Sequence, residues 1–248
     1  MKIKFLHLNI EWSRFPEKVS NFIKENDIDI VNLQEVTGGK LNEKSIDTFE
    51  YFKQSLGYRG ELVKNWSLYA DKNDYFGNTT LFRNPIELVK KEVVWLKEFM
   101  LIPNFKKRDI KEDPRSAMSL TLRAEGKKFN VINTHLAWGP TPEDEPYKMD
   151  QARKLYAYML SVKYPFILSG DFNVTPDSKI VKMIEKFGDN LTTANNIPTT
   201  LNSKLHRFPN LSYAVDYIFI PKNTKYGNFK LIDEDLSDHY GLFAEIEL

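Results

Sequence analysis

The residues with the most chemical promise stand where apolar runs stop. Phe166-Ile167-Leu168-Ser169 leads into Gly170-Asp171-Phe172-Asn173. A buried strand here would deliver Asp171 and Asn173 into the crevice beyond its carboxyl end, where open α/β sheets carry their chemistry. Asp171 can accept a proton or orient a water, while Asn173 offers a neutral amide donor to an oxyanion. A lone Asp-x-Asn reads better as an Asx turn capping the next helix, but this pattern recurs along the chain. The first apolar run ends at Asn9 and Glu11, the second at Gln34-Glu35, and a later one at Asn133-Thr134-His135. Asp216, in Val215-Asp216-Tyr217-Ile218, and Ser237-Asp238-His239 complete the set. Carboxylates and amides at the ends of so many apolar runs are costly unless they face one shared polar site. Hard oxygen donors in a chain with no cysteine suit Mg2+ or Mn2+ and exclude thiolate-bound metal, disulfides and thiol catalysis.

Groups so far apart in sequence need a scaffold that gathers strand ends. Ile3 to Ile10 reads as a buried strand, and Pro16 can open a helix whose apolar stripe is Val19, Phe22 and Ile23. With a second strand over Ile28–Leu33, this is a parallel crossover unit. A helix is expected over Glu43–Leu56, then strands over Tyr58–Val63, Ser67–Ala70, Thr79–Phe82 and Ile86–Trp95. Ser116–Arg123 and Lys127–Thr134 flank the turn Ala124-Glu125-Gly126 as a hairpin. Next come a helix over Tyr147–Val162, a strand over Phe166–Ser169 and a helix over Ser178–Phe187. Strands over Tyr213–Ile220, Phe229–Ile232 and Leu242–Leu248 close the chain. A second crossover around Gly170, with antiparallel strands between and after, fits two mixed sheets packed face to face with helices outside. The fold class is therefore α/β (α+β), a four-layer sandwich, in one domain spanning 1–248. Leu96–Pro114 and Ala137–Pro146, rich in proline and charge, are expected to be irregular.

Together, Asn9, Leu33-Gln34-Glu35, Asn133-Thr134-His135-Leu136, Gly170-Asp171-Phe172-Asn173, Asp216-Tyr217-Ile218 and Ser237-Asp238-His239 resemble the endonuclease/exonuclease/phosphatase (deoxyribonuclease I-like) superfamily. The motifs cover almost the whole chain in the right order. Gly77-Asn78-Thr79-Thr80-Leu81-Phe82-Arg83 and Arg115-Ser116-Ala117 are similar to two further family segments. The resemblance implies that Glu35 is the main metal-binding carboxylate, with Asn9 beside it and Asp238 on or near the metal. It implies that Asp171 orients or deprotonates the attacking water, supported by Asn173, and that His239 contacts the phosphate with Asp216 orienting it. His135 would assist the leaving group, and Asn78 and Arg115 would bind substrate. In-line hydrolysis needs a positioned water, neutralised phosphoryl charge and help for the leaving oxygen, and this set supplies all three. The implied activity is Mg2+- or Mn2+-dependent hydrolysis of a phosphate ester, by a nuclease or phosphodiesterase. The alternative is a phosphomonoesterase acting on a small or lipid-type phosphate. A catalytically inactive binding scaffold is the rival from another class, but it should have lost Glu35, Asp171 or His239, and all three are present.

Composition narrows the partners. Lys+Arg (35) and Asp+Glu (34) nearly cancel, so no overall basic excess favours long duplex DNA, although nucleic acid stays among the candidate substrates. No apolar run approaches the length of a membrane span, and the N-terminus lacks signal-peptide features. A cytoplasmic monomer is expected. His7 and His206 read as structural or solvated, and Trp12, Trp66 and Trp95 as packing residues. Trp138 stands out because it follows His135 on the same loop. Lys106-Lys107-Arg108 is diluted by Asp109, Glu112 and Asp113, which points to a solvated loop. No Gly-x-Ser-x-Gly elbow, phosphate-binding P-loop or dinucleotide fingerprint occurs.

Overall fold

Thirteen strands and five α-helices are present in the computed structural model, which describes residues 1–105 and 109–248. The Lys106-Lys107-Arg108 run lies outside the described residues. The strands are β1 (Lys2–Asn9), β2 (Ile30–Thr37), β3 (Arg59–Leu68), β4 (Tyr75–Phe82), β5 (Glu87–Lys97), β6 (Met100–Ile102) and β7 (Arg115–Ala124). They continue with β8 (Lys127–His135), β9 (Phe166–Asp171), β10 (Gly188–Asn190), β11 (Asp216–Pro221), β12 (Tyr226–Ile232) and β13 (Gly241–Glu247). The helices are α1 (Pro16–Glu25), α2 (Thr48–Leu56), α3 (Pro146–Met159), α4 (Lys179–Ile184) and α5 (Leu191–Ala194). None of the described helices is long and apolar enough to cross a membrane.

The strands form a seven-stranded sheet, β12-β13-β1-β2-β4-β3-β6, and a six-stranded sheet, β10-β11-β9-β8-β7-β5. Both expected crossovers are present: β1 and β2 pair in parallel through α1, and β8 and β9 through α3. Strand alternation sorts the side chains between layers. In β1, Leu6 and Leu8 join Val19, Phe22 and Ile23 of α1, while Phe5 packs between the sheets with Leu120, Val131 and Ile167. In the other sheet, Ile132 and Leu168 pack on Ala152, Leu155 and Ile180 of the outer helices. The result is the helix–sheet–sheet–helix sandwich.

Some boundaries differ from the sequence reading. The helix expected from Glu43 begins only at Thr48, where the Asp47 carboxylate accepts the Glu50 N–H at 3.1 Å. Asn42 holds the preceding stretch in a turn, its side chain donating to the Ile46 carbonyl and accepting the Ile46 N–H. The two strands expected at Tyr58–Val63 and Ser67–Ala70 are one strand, β3, because a register shift between Lys64 and Trp66 absorbs the break as a bulge. Leu96–Pro114 is not wholly irregular, since β6 adds in parallel to the edge of β3, Met100 opposite Trp66. β10 and α5 are three and four residues long, too short to leave a periodic pattern.

Candidate active site at the strand ends

Register alone assembles half of the site. Across β11, β9 and β8, Asp216 stands opposite Asp171 and Asp171 opposite His135. Gly170 permits this close approach, because a Cβ there would lie 2.3 Å from the Thr134 carbonyl oxygen. The other half comes from the facing sheet. Asn9 ends β1, and a bulge in β2 aims Glu35. The β2–β4 register passes from Leu33 opposite Thr79 to Val36 opposite Gly77, so Gln34 and Glu35 together face Asn78. Glu35 sits at φ 59°, and Glu11, Trp12 and Ser13 follow one another at φ 43°, 56° and 62°. Left-handed backbone is costly for such residues and persists where the surroundings impose it. Here it brings the Trp12 N–H to Glu35 Oε2 at 3.2 Å and the Glu11 N–H to Asn9 Oδ1 at 3.1 Å.

Asn9 clamps both halves. Its amide nitrogen donates to Glu35 Oε1 at 3.3 Å and to Asp171 Oδ2 at 3.1 Å. Asp171 Oδ1 accepts the Asn173 N–H at 2.9 Å, and Asp171 Oδ2 lies 3.6 Å from His135 Nε2 and 3.9 Å from His239 Nε2. Asp216 has three partners: Oδ2 accepts from His239 Nδ1 at 2.8 Å and from the Thr200 hydroxyl at 2.6 Å, and Oδ1 meets His7 Nε2 at 2.9 Å.

The two register-paired carboxylates are driven apart in acidity. Burial, then the charge of Asp216, pushes Asp171 up to about 7. Burial acts on Asp216 as well, but His239, through its charge and its hydrogen bond, and then His7 outweigh it and hold Asp216 well below the usual carboxylate range. Burial opposes charge on His239, yet Asp216 and Asp238 win and raise it well above an ordinary imidazole. His135, buried and close to the Arg115 charge, is held well below that value and stays neutral. A proton acceptor poised near neutrality beside a fixed anion–imidazolium pair is an arrangement for general-base chemistry on an anionic substrate.

Two carboxylate groups invite a cation. Burial, then repulsion from Asp238, lifts Glu35 to about 7, which a bound divalent ion would relieve. Glu35 and Asp238 are hard oxygen donors suited to Mg2+ or Mn2+. Asn9 stands beside them as expected, but its N–H groups face Glu35 and Asp171 and its oxygen turns to Glu11, so it positions these carboxylates. One ligand atom each from Asp171, Asp216 and His239 also lie within 4.8 Å of one another. In that trio Oδ2 of Asp216 already accepts two hydrogen bonds, one of them with Nδ1 of His239.

The remaining expected residues fall around this centre. Asn173 contributes its backbone N–H to Asp171, while its side-chain amide donates to the Leu136 carbonyl at 3.1 Å. Asn78 is fully buried opposite the Glu35 bulge, and neither side-chain atom has a hydrogen-bond partner among the described residues. Arg115 is buried with its guanidinium 5.5 Å from the Phe76 ring centroid, and its charge acts on Glu35 and His135. Trp138 is exposed, and the His206 ring stands edge-on to His239 with centroids 6.3 Å apart. Sequence reasoning missed the partnership of His7 with Asp216, though a polar residue two before Asn9 in an apolar strand was a signal. It also missed Lys148, fully buried in α3, whose ammonium donates to the carbonyls of Thr141 at 2.9 Å and Asn173 at 3.1 Å.

Comparison with known proteins identifies the family and the fold. The family model described as "Endonuclease/Exonuclease/phosphatase family" matches residues 6–239. An endonuclease/exonuclease/phosphatase from Bacteroides vulgatus superposes with a TM-score of 0.77 at 20% identity, covering 100% of this chain and 99% of that one. A mannosyl-6-phosphatase from Bacteroides thetaiotaomicron gives a TM-score of 0.76 at 17% identity, with coverage of 99% and 100%. D. rerio TDP2 complexed with single-strand DNA product gives 0.74 at 13% identity, with coverage of 100% and 99%. No curated protein matches the chain.

Proposed function

Because the chain belongs to the endonuclease/exonuclease/phosphatase family, whose members hydrolyse phosphate esters, we propose that it is a metal-dependent phosphodiesterase or nuclease working by in-line attack of water. The divergence of Asp171 and Asp216 carries this reading. Asp171, pushed up to about 7, can take a proton from an attacking water at neutral pH. The Asn173 N–H and the Asn9 amide hold its carboxylate so that the acceptor does not swing away. His239, its Nδ1 on Asp216, presents Nε2 as a cationic donor to a phosphoryl oxygen. Glu35 and Asp238 would hold Mg2+ or Mn2+, which when bound neutralises phosphoryl charge and eases departure of the leaving oxygen. A neutral His135, 3.6 Å from Asp171, lies beside that carboxylate without a hydrogen bond and carries no imidazolium proton for a leaving group.

A phosphomonoesterase is the second reading. The near balance of 35 basic and 34 acidic residues provides no overall excess for counterion-driven binding of a polynucleotide. The test is a substrate panel of single-stranded DNA, duplex DNA, RNA, small phosphodiesters and sugar or lipid phosphomonoesters, each with Mg2+, with Mn2+ or with chelator. Metal-dependent cleavage of a diester is expected. Turnover of monoesters only would favour the second reading, and no hydrolysis of any ester by the folded protein would sink both.

A further inference from the structure

His7 has no place in the reaction as described, yet it is fully buried and aimed at the site. Packing does not explain it. His7 projects from β1 into the space between the sheets, where Phe5, on the same side of the strand, is part of the hydrocarbon core. Its Nε2 meets Asp216 Oδ1 at 2.9 Å, and its Nδ1 has no hydrogen-bond partner among the described residues. A buried ring nitrogen without a partner costs stability that leucine or phenylalanine would not.

The geometry assigns His7 as a positioning residue, whose Nε2–H grips the rear oxygen of Asp216 so that the front oxygen is aimed at His239. A carboxylate held only at Oδ2, by Thr200 and His239, could rotate about its Cβ–Cγ bond and carry the accepting lone pair out of line with Nδ1. The bond from His7 at Oδ1 removes that freedom. Two residues further along, Asn9 donates to Asp171. Asp171 and Asp216 are register partners on adjacent strands. One face of β1 therefore reaches both carboxylates across the sheet interface. The kinetic part of this inference rests on the phosphoester hydrolase reading above, whereas the structural part does not.

The test uses the full chain with 15N-labelled histidine and the variants His7→Gln and His7→Leu. Glutamine places an amide N–H near the former Nε2, and leucine removes the donor while keeping the site filled. Wild-type protein should show two low-field ring N–H resonances, from His7 Nε2 and His239 Nδ1. His7→Leu should lose the first and displace the second, while His7→Gln should leave the second in place. On whichever ester the panel identifies, His7→Leu should lower kcat on the order of tenfold with KM within about twofold, and His7→Gln should restore most of it. Melting curves establish that each variant is folded. If His7→Leu does not fold, His7→Asn, whose amide falls short of Oδ1, takes its place. An unmoved His239 resonance with unchanged kcat overturns the proposal, and so does a His7→Gln variant that loses as much as His7→Leu. If the wild-type protein hydrolyses no ester, the hydrolase reading fails, and the His239 resonance alone decides this one.

Discussion

The space between the two sheets is hydrocarbon at one end and polar at the other, although the same strands line both. Phe5, Ile167 and Ile218 belong to the apolar end, packed with Ile30, Phe82, Leu122 and Val131. Two residues along the same strands stand His7, Ser169 and Asp216, and the polar end adds Asn32, Gln34, Asn133 and Asp171, all buried. Alternation thus fixes which side chains face inward, and position along the strand decides whether they join the hydrocarbon core or the polar cluster. The polar end is held by directional bonds between the sheets. Asn32 donates to the Ile132 carbonyl at 3.1 Å and to Ser169 Oγ at 2.9 Å, and Gln34 donates to Asn133 Oδ1 at 2.6 Å. Asn133 in turn donates to the carbonyls of Leu33 at 3.1 Å and Thr79 at 2.7 Å. Greasy packing tolerates small slippage, but these bonds do not, and slippage would pull the polar cluster apart.

The sharpest break in the comparison is one substitution at each end. Asp171→Asn should fold and bind metal yet lose turnover on the order of 10²–10⁴, as removal of a general base does. Ile167→Ala, in the apolar end, should cost about 2–5 kcal/mol of stability, as buried aliphatic truncations do, with turnover per folded molecule unchanged. Denaturant melts and active-site-normalised kinetics separate the two. If Ile167→Ala lowered turnover as much as Asp171→Asn at matched folded fraction, the ends would not be functionally distinct.

Within the polar end, Asp216 and His239 should behave as one unit. Asp216→Asn and His239→Ala each remove the same oriented imidazolium, so the double variant should be little worse than the poorer single one. Losses that multiply would show that the two act separately.

Much of this plan was written in the sequence, for a definable reason. A strand that ends at a site shows an apolar run stopping at a polar residue, which marks Asn9 and Asp171, while Glu35 lies inside β2 and Asp216 and His239 precede the apolar runs of β11 and β13. What binds them to each other leaves no such mark, because it depends on register and on contact between sheets. His7 read as structural or solvated, since nothing local shows that Asp216, 209 residues away, receives it. Lys148 stands unmarked within the expected helix Tyr147–Val162, and only the fold shows the carbonyls of Thr141 and Asn173 accepting from it. The bulge that aims Glu35 leaves no glycine or proline in Leu33-Gln34-Glu35-Val36 to announce it.

The smallest expected effect concerns how the polar end responds to pH and metal, which the apolar end should ignore. Glu35 and Asp171 both sit at about 7 in the folded chain without metal, against about 4 for such groups when unfolded. Between those values the folded state holds protons that the unfolded state has released. The stability these two groups contribute is complete below about pH 4 and is lost as pH climbs to about 7. His239 adds to the decline, because an imidazole raised above its usual value contributes below pH 6.5 and loses that contribution as pH passes its folded value. Asp216, held low, contributes above the ordinary carboxylate range and matters only in strong acid. The melting temperature in chelator should therefore fall from pH 5 to pH 8. Added Mg2+ should reverse part of the fall at pH 8, where Glu35 is ionised, and do little at pH 5, where it is protonated. At a hundredfold excess over its dissociation constant the ion is worth about 2.7 kcal/mol, a few degrees for a chain of this length. Asp171→Asn should flatten the pH slope and keep the Mg2+ shift, whereas Glu35→Gln should flatten the slope and abolish the shift. A Mg2+ shift that survives in Glu35→Gln would move the metal away from Glu35, and a melting temperature that rises from pH 5 to pH 8 would contradict the strained carboxylates themselves.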